Sequence, residues 1–216
     1  MNIIIISQDL KSDGKGEDRL LKLGHQISAR GHGVTTLTSN GAVAMDLGRK
    51  KIGLFYQNGL TMIAFNVPGE DQNSLFKSAI SDLKFARMTG KQLESLPRPG
   101  LILVKTPPLT AALPAMRLSR RLEIPLVVEI RELMPDALIE KKALKNGPVI
   151  KALKKLEQKI YEQASRIITV DDEKAALIKE RLVERSKVRV VKDSSTLEQL
   201  LKDYERALDG YKLKMT

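Results

Sequence analysis

A chain of 216 residues with 37 Lys and Arg against 26 Asp and Glu carries a net charge of +11, and 42% of it is hydrophobic. That apolar share supports a core and argues against wholesale disorder, while the charge calls for something anionic: nucleic acid, a phosphorylated ligand or an anionic membrane face. The lack of cysteine excludes disulfides and thiol chemistry, and aromatics at 4%, never interleaved with basic runs, disfavour nucleic acid as the partner because single strands need stacking platforms.

Met1-Asn2-Ile3-Ile4-Ile5-Ile6-Ser7 has no basic leader and too short an apolar run for a signal peptide. No run reaches the ~20 apolar residues of a membrane span, so a cytoplasmic protein is expected. Ile3 to Ile6 reads as a central parallel strand, being continuously apolar and ending at Ser7. A polar loop from Gln8 to Gly16 leads into a helix from about Glu17 to Arg30. Leu20, Leu21, Leu23, Gly24 and Ile27 share one side of it, and Glu17 and Asp18 sit in its first turn, suited to the positive end of the dipole. Gly31-His32-Gly33 ends the helix and Val34 to Leu37 is the second strand, which gives a βαβ unit with a right-handed crossover.

Asp13-Gly14-Lys15-Gly16 stands between that strand and the helix amino end, a setting that favours anions. It is not a dinucleotide fingerprint: Arg19 occupies the place of the third glycine, and Thr38-Ser39-Asn40 stands where an acid is needed. No Gly-Lys-Ser/Thr phosphate loop occurs. Lys15 and the Gly16 amide are left with two readings, a phosphate or sugar contact and a purely structural turn.

Leu54-Phe55-Tyr56 and Leu60 to Phe65 flank Gln57-Asn58-Gly59, a hairpin signal through its Asn-Gly turn. Arg49-Lys50-Lys51 before it reads as a solvated basic cluster. A helix from Asn73 to about Leu93 is expected to pack Phe76, Ala79, Ile80 and Leu83 on the core, accompanied by Lys77, Lys84, Arg87 and Lys91. Basic amphipathic helices also lie on membrane surfaces, which is the alternative for this segment.

Leu101 to Val104 is the next buried strand, followed by Thr106-Pro107-Pro108-Leu109 and a helix over 109 to 122 with Ala111, Ala112 and Ala115 for close packing. Leu126 to Ile130 follows and delivers Arg131-Glu132 at its carboxyl end, where Pro135 stops the register. Ligands in open α/β sheets bind outside the carboxyl ends of parallel strands, so this pair is either chemical or an ion pair closing a strand. A helix from Pro148 to Ala164, a strand over Ile167 to Val170, a helix capped by Asp172 and running to about Glu184, and a strand over Val188 to Val191 complete the pattern. Residues 193–216 differ: Ser195 and Glu198 fit a capping box, and Leu197, Leu200, Leu201, Tyr204 and Leu208 form one stripe of a terminal amphipathic helix, with a tail from Tyr211. His25 and His32 lack partners at ligand spacing, so no metal site is nominated; no Gly-x-Ser-x-Gly elbow exists either.

Taken together, Asn2 to Ser7, Ala29-Arg30-Gly31-His32-Gly33 to Thr38, Thr106-Pro107-Pro108-Leu109-Thr110, Glu129-Ile130-Arg131-Glu132-Leu133-Met134-Pro135-Asp136, and Leu156-Glu157, Tyr161, Ala164 and Ile167 to Val170 resemble the amino-terminal domain of family 4 glycosyltransferases of the GT-B fold. The resemblance covers about residues 1–192 and is nearest to the branch building surface polysaccharides and lipid-linked sugars. It implies a single Rossmann-like, doubly wound α/β domain with a mostly parallel sheet, on the acceptor side of a cleft, acting in a retaining, metal-independent transfer. It makes Arg131 and Glu132 the catalytic candidates, with Gly14, Lys15, Gly16, Arg19 and Thr106 on the substrate side. No cofactor is expected in this chain. The family continues through a Pro-Asn-Gly linker into a domain that holds the nucleotide-sugar donor, whereas Val191 is followed here by Lys192-Asp193-Ser194-Ser195. Activity is therefore expected only with a separately encoded donor-binding partner. An anionic membrane surface or lipid-phosphate acceptor would suit the positive charge. The alternative is a non-catalytic adaptor or relic that binds a membrane or a glycosyltransferase.

Overall fold

Alternate side chains of a strand point to opposite faces, so a strand of four isoleucines needs cover on both. In the computed structural model, which describes residues 1–10, 18–43, 46–67, 75–140 and 147–192, strand β1 (Asn2–Ile6) has that cover. Ile3 and Ile5 join one buried cluster, and Ile4 and Ile6 join the other. β1 pairs in parallel with β2 (Gly33–Ser39) on one side and β5 (Leu101–Thr106) on the other.

The chain builds outward from β1 in both directions. β2 pairs in parallel with β4 (Leu60–Phe65), whose antiparallel hairpin partner β3 (Ile52–Gln57) forms one edge. Asn58 and Gly59 turn that hairpin with φ of 46° and 82°, the left-handed pair an Asn-Gly turn supplies. Beyond β5 come β6 (Leu126–Ile130), β7 (Arg166–Thr169) and β8 (Val188–Val190), all parallel. The sheet order is β3-β4-β2-β1-β5-β6-β7-β8. This is the expected mostly parallel, Rossmann-like α/β sheet.

Helix α1 (Arg19–Ala29) packs Leu20, Leu21, Leu23 and Ile27 on the face shared by Ile3 and Ile5. The opposite face carries α2 (Leu75–Ser95), α3 (Ala112–Leu122) and α5 (Pro148–Gln163), joined by α6 (Asp172–Glu180). A short α4 (Asp136–Glu140) follows β6.

Three local expectations are corrected. α1 begins later than Glu17: Asp18 is its cap, accepting from the Leu20 amide at 2.8 Å, so it lies outside the first turn. Asp171, not Asp172, caps α6 through the Lys174 amide at 2.7 Å, because its backbone is extended while Asp172 is already helical; the helix ends at Glu180. In α2 the buried line is Ser81, Phe85, Ala86, Thr89 and Leu93, and Phe76, Ala79, Ile80 and Leu83 face outward. Residues 193–216, with the expected terminal helix, lie outside the described residues.

Candidate functional site

Strand order reverses at β1. The chain winds from β1 to β2 and β4 on one side, then returns to β5 and continues the other way. Such a switch opens a crevice beyond the carboxyl ends of the two diverging strands. Here those ends are Ser7-Gln8-Asp9 after β1 and Thr106 closing β5, with Arg131 and Glu132 following β6 next door.

The chemistry at this edge converges on Glu129. It has the same parity in β6 as Val127, so its side chain enters the α1 face of the sheet and is only 1% exposed. A carboxylate so placed must be compensated. Arg19, in the first turn of α1, sets its guanidinium 3.0 Å from Glu129 Oε2 and donates to the Val191 carbonyl at 2.6 Å. Arg131 lies 3.7 Å from Glu129 Oε1 and is partly exposed. Two guanidinium groups thus share one carboxylate, Arg19 largely buried and Arg131 partly exposed just past the carboxyl end of β6.

Lys105 extends the arrangement. One residue before the end of β5, its ammonium donates to the Asp9 carbonyl at 2.7 Å and to Asp18 Oδ2 at 2.8 Å. The α1 cap, the β1 end and β5 are therefore joined by one cation. Thr106 is buried; its hydroxyl donates to the Glu129 carbonyl at 3.4 Å, and its own carbonyl accepts from the Arg131 amide at 3.0 Å. Glu132 is exposed beside Arg131. Of the candidates named from sequence, Arg19, Thr106, Arg131 and Glu132 stand at one edge of the sheet, whereas Gly14, Lys15 and Gly16 lie outside the described residues.

The segment after Glu132 is anchored from behind. Asp136, opening α4, pairs with Arg181 at the end of α6, and Lys154 stands 3.5 Å away. Arg181 also meets Glu157 Oε2 at 2.8 Å, and the Tyr161 hydroxyl donates to Glu157 Oε1 at 2.7 Å. Burial opposes ionisation of Asp136, but the Arg181 hydrogen bond and the charges of Arg181 and Lys154 outweigh it and hold the carboxyl below its ordinary value. Glu157 is more deeply buried, and that burial pushes its carboxyl up despite Tyr161 and Arg181. Burial and the Glu157 charge push the Tyr161 phenol well up, which keeps it a proton donor.

Glu129, Lys105 and Asp18 were not nominated from sequence. A signal for Glu129 existed: an acidic residue at a position buried on both faces of a strand must have a cationic partner nearby. Nothing in the spacing names Arg19 as that partner. His25 Nδ1 faces the Asn58 carbonyl at 3.1 Å, and His32 Nδ1 faces the terminal amino group at 3.3 Å. Among the described residues no three His, Cys, Asp or Glu side chains form a metal-binding group.

A family model described as a glycosyl transferase 4-like domain matches residues 16–193. Among curated proteins none matches the chain. Solved structures share the fold. Arabidopsis thaliana UGT89C1 complexed with quercetin has a TM-score of 0.55 at 14% identity, over 89% of this chain and 50% of its own. A UDP-glucose:anthocyanidin 3-O-glucosyltransferase in complex with UDP has a TM-score of 0.55 at 11% identity, over 93% of this chain and 54% of its own. Anabaena HepE in complex with UDP and glucose has a TM-score of 0.54 at 11% identity, over 90% and 45% respectively. The chain spans about half the length of these structures.

Proposed function

The chain belongs to the glycosyl transferase 4-like domain family, and on that footing we propose that it is the acceptor-side half of a retaining glycosyltransferase, working with a donor-binding half supplied from outside residues 1–216. The observation that carries the reading is the meeting of Arg19, Glu129 and Arg131 at the strand-order reversal, where this architecture binds ligands. Its overlap with only half of the transferase structures supports the need for a second half. The Pro-Pro-Leu and Glu-x-Arg-acid-Leu-x-Pro-acid pieces support an acceptor in surface-polysaccharide or lipid-linked glycan synthesis, and the UDP in two of the solved structures supports a nucleotide-sugar donor.

Transfer breaks the bond between the sugar anomeric carbon and the nucleoside diphosphate and makes one to an acceptor oxygen, whose proton passes to the departing phosphate oxygen. Arg131 has the position and charge to hold a phosphate oxygen at the crevice mouth, oriented through Glu129. The exposed Glu132 carboxylate has the chemistry to accept a hydrogen bond from the acceptor hydroxyl. Arg19, largely buried, fixes Glu129 and α1 and so positions Arg131.

The test is reconstitution. Purified protein alone should not bind UDP-glucose by calorimetry, and should transfer labelled sugar when a donor-binding domain is added. Arg131→Ala should reduce that restored transfer by ~100-fold or more while the circular dichroism spectrum stays native, since Arg19 at 3.0 Å still compensates the buried Glu129 carboxylate. Tight UDP-glucose binding by the chain alone would overturn the half-site reading, and full activity of Arg131→Ala would remove that residue from the site. Failure of every donor-binding domain to restore transfer would favour the adaptor.

A further inference from the structure

A helix packed on a sheet normally turns its apolar line inward. α2 does this with Phe85, Ala86 and Leu93, yet carries a second apolar line on the opposite side. Phe76 is 76% exposed, Leu83 59% and Ile80 45%. The spacing Phe76, Ile80, Leu83, Arg87, Lys91 follows one line along the helix, so two apolar turns continue directly into two basic ones. Lys77 and Lys84 are exposed as well.

The amino end of α2 also projects past the sheet. The Gln8 side chain, just beyond β1, donates to Asp82 at 3.0 Å, which fixes the level of the strand ends. Leu75 lies seven residues earlier, roughly 10 Å further along the axis. The projecting turns therefore stand at the same edge as the Arg131 crevice.

Two neighbouring surfaces continue this pattern. In β3, Leu54 pairs with Ile63, which belongs to the cluster under α2, so Ile52, Leu54 and Tyr56 lie on the α2 side of the sheet, and all three are exposed. The exposed run Arg49-Lys50-Lys51 leads into them. On the other flank a groove of about 410 Å³ between α2 and α3 is lined by Arg87, Lys91, Arg117 and Arg121, with Glu94 as its one acid.

We infer that this face is a docking surface for an anionic lipid bilayer: Phe76, Ile80 and Leu83 enter the headgroup–acyl boundary while Arg87, Lys91, Arg117 and Arg121 hold lipid phosphates. Charge complementarity selects the occupant. A protein partner would need a compensating acidic surface, whereas an anionic leaflet meets every one of these cations at once. The alternation of apolar insertion and flanking cations is what an interfacial helix requires, and no helix among the described residues is long and apolar enough to cross the membrane. Docking there would hold the crevice edge against the leaflet. The inference does not depend on the transferase reading.

Flotation with vesicles of phosphatidylglycerol in phosphatidylcholine, against phosphatidylcholine alone, tests it. Full-length protein should float only with the anionic vesicles, and less as salt rises from about 50 to about 500 mM. Phe76→Ser/Ile80→Ser/Leu83→Ser should lower the partition coefficient by more than about 10-fold, and Arg87→Glu/Lys91→Glu should abolish it. Val183→Ser, fully exposed elsewhere, should change nothing. Each variant is checked by thermal melting, because these side chains are outside the core and should leave the transition unchanged. Undiminished flotation of both α2 variants would overturn the inference. So would an α2 variant that leaves flotation intact but loses self-association on gel filtration, or loses transfer with a donor-binding domain, since the face would then serve a second copy or that domain.

Discussion

Glu129 and Asp136 lie seven residues apart in one short motif, and the structure gives them opposite settings. Glu129 is sealed inside the sheet between two arginines, while Asp136 is about a quarter exposed and is held from α6 by Arg181. A carboxylate paired in this way has its folded pKa below the ordinary 3.8, so it stabilises the protein above that value and ceases to as pH falls through the lowered one. Asp136→Asn should therefore cost about 1–3 kcal/mol near neutrality, and urea titrations repeated at falling pH should show the difference from wild type shrinking below 3.8. A difference independent of pH would mean the Arg181 pair contributes only shape. Glu157 works in the opposite sense: its raised pKa favours the folded state when protonated, so that contribution is complete below 4.5 and is lost as pH rises. The motif's Arg131 was legible as a residue thrown out at a strand end. Its carboxylate partner within the strand was not, because one sequence shows that a buried charge needs a partner without showing which element brings it.

The helices divide by how their termini and faces are specified. α1 is fixed by one aspartate: Asp18 Oδ1 takes the Leu20 amide while Oδ2 takes the Lys105 ammonium. Asp18→Ala removes the cap and unpairs a lysine only 15% exposed, and should lower stability by about 2 kcal/mol in thermal or chemical denaturation. Asp18→Asn keeps the cap and drops the charge, so it should recover about half of that loss. Equal losses in the two variants would assign the whole effect to Lys105. The α6 cap read nearly correctly from sequence, off by one residue, because Asp serves equally well at adjacent positions until the backbone selects one, whereas the α1 cap, Asp18, read as a first-turn residue. α2 read wrongly for a deeper reason. Its period admits two stripes, and the buried one runs through Ser81 and Thr89, small polar residues at 0% exposure. Against the T-shaped pair Phe65–Phe85 the helix must approach closely, and small side chains allow it where Phe76 or Leu83 would not. Hydrophobicity alone points to the larger residues, and these are the ones left facing out.

At the scale of the molecule, the sheet class was legible because four- and five-residue apolar runs alternating with helical segments admit few other arrangements. The strand order was not legible beyond the doubly wound class that the resemblance implies; nothing local says that β1 lies between β2 and β5. That order sets a gradient of protection. β1, β5 and β6 are flanked on both sides, with Ile6, Val104, Val127 and Val128 at 0% exposure, while β3 ends the sheet with Ile52, Leu54 and Tyr56 exposed, and β8 ends it with three residues. Opening an edge exposes little apolar surface, whereas opening the centre removes both clusters at once. Amide hydrogen exchange should accordingly be slowest in β1, β5 and β6, approaching the global unfolding free energy, and faster in β3 and β8 by at least about 2 kcal/mol in opening free energy. The amides of Arg131 and Ser7 bond to the Thr106 and Leu37 carbonyls, so they should belong to the slow group even though they border the crevice. If they exchange with the edge strands instead, the site rests on a mobile rim, and the positioning of Arg131 through Glu129 would have to be supplied by a bound ligand or by the donor-binding half proposed above.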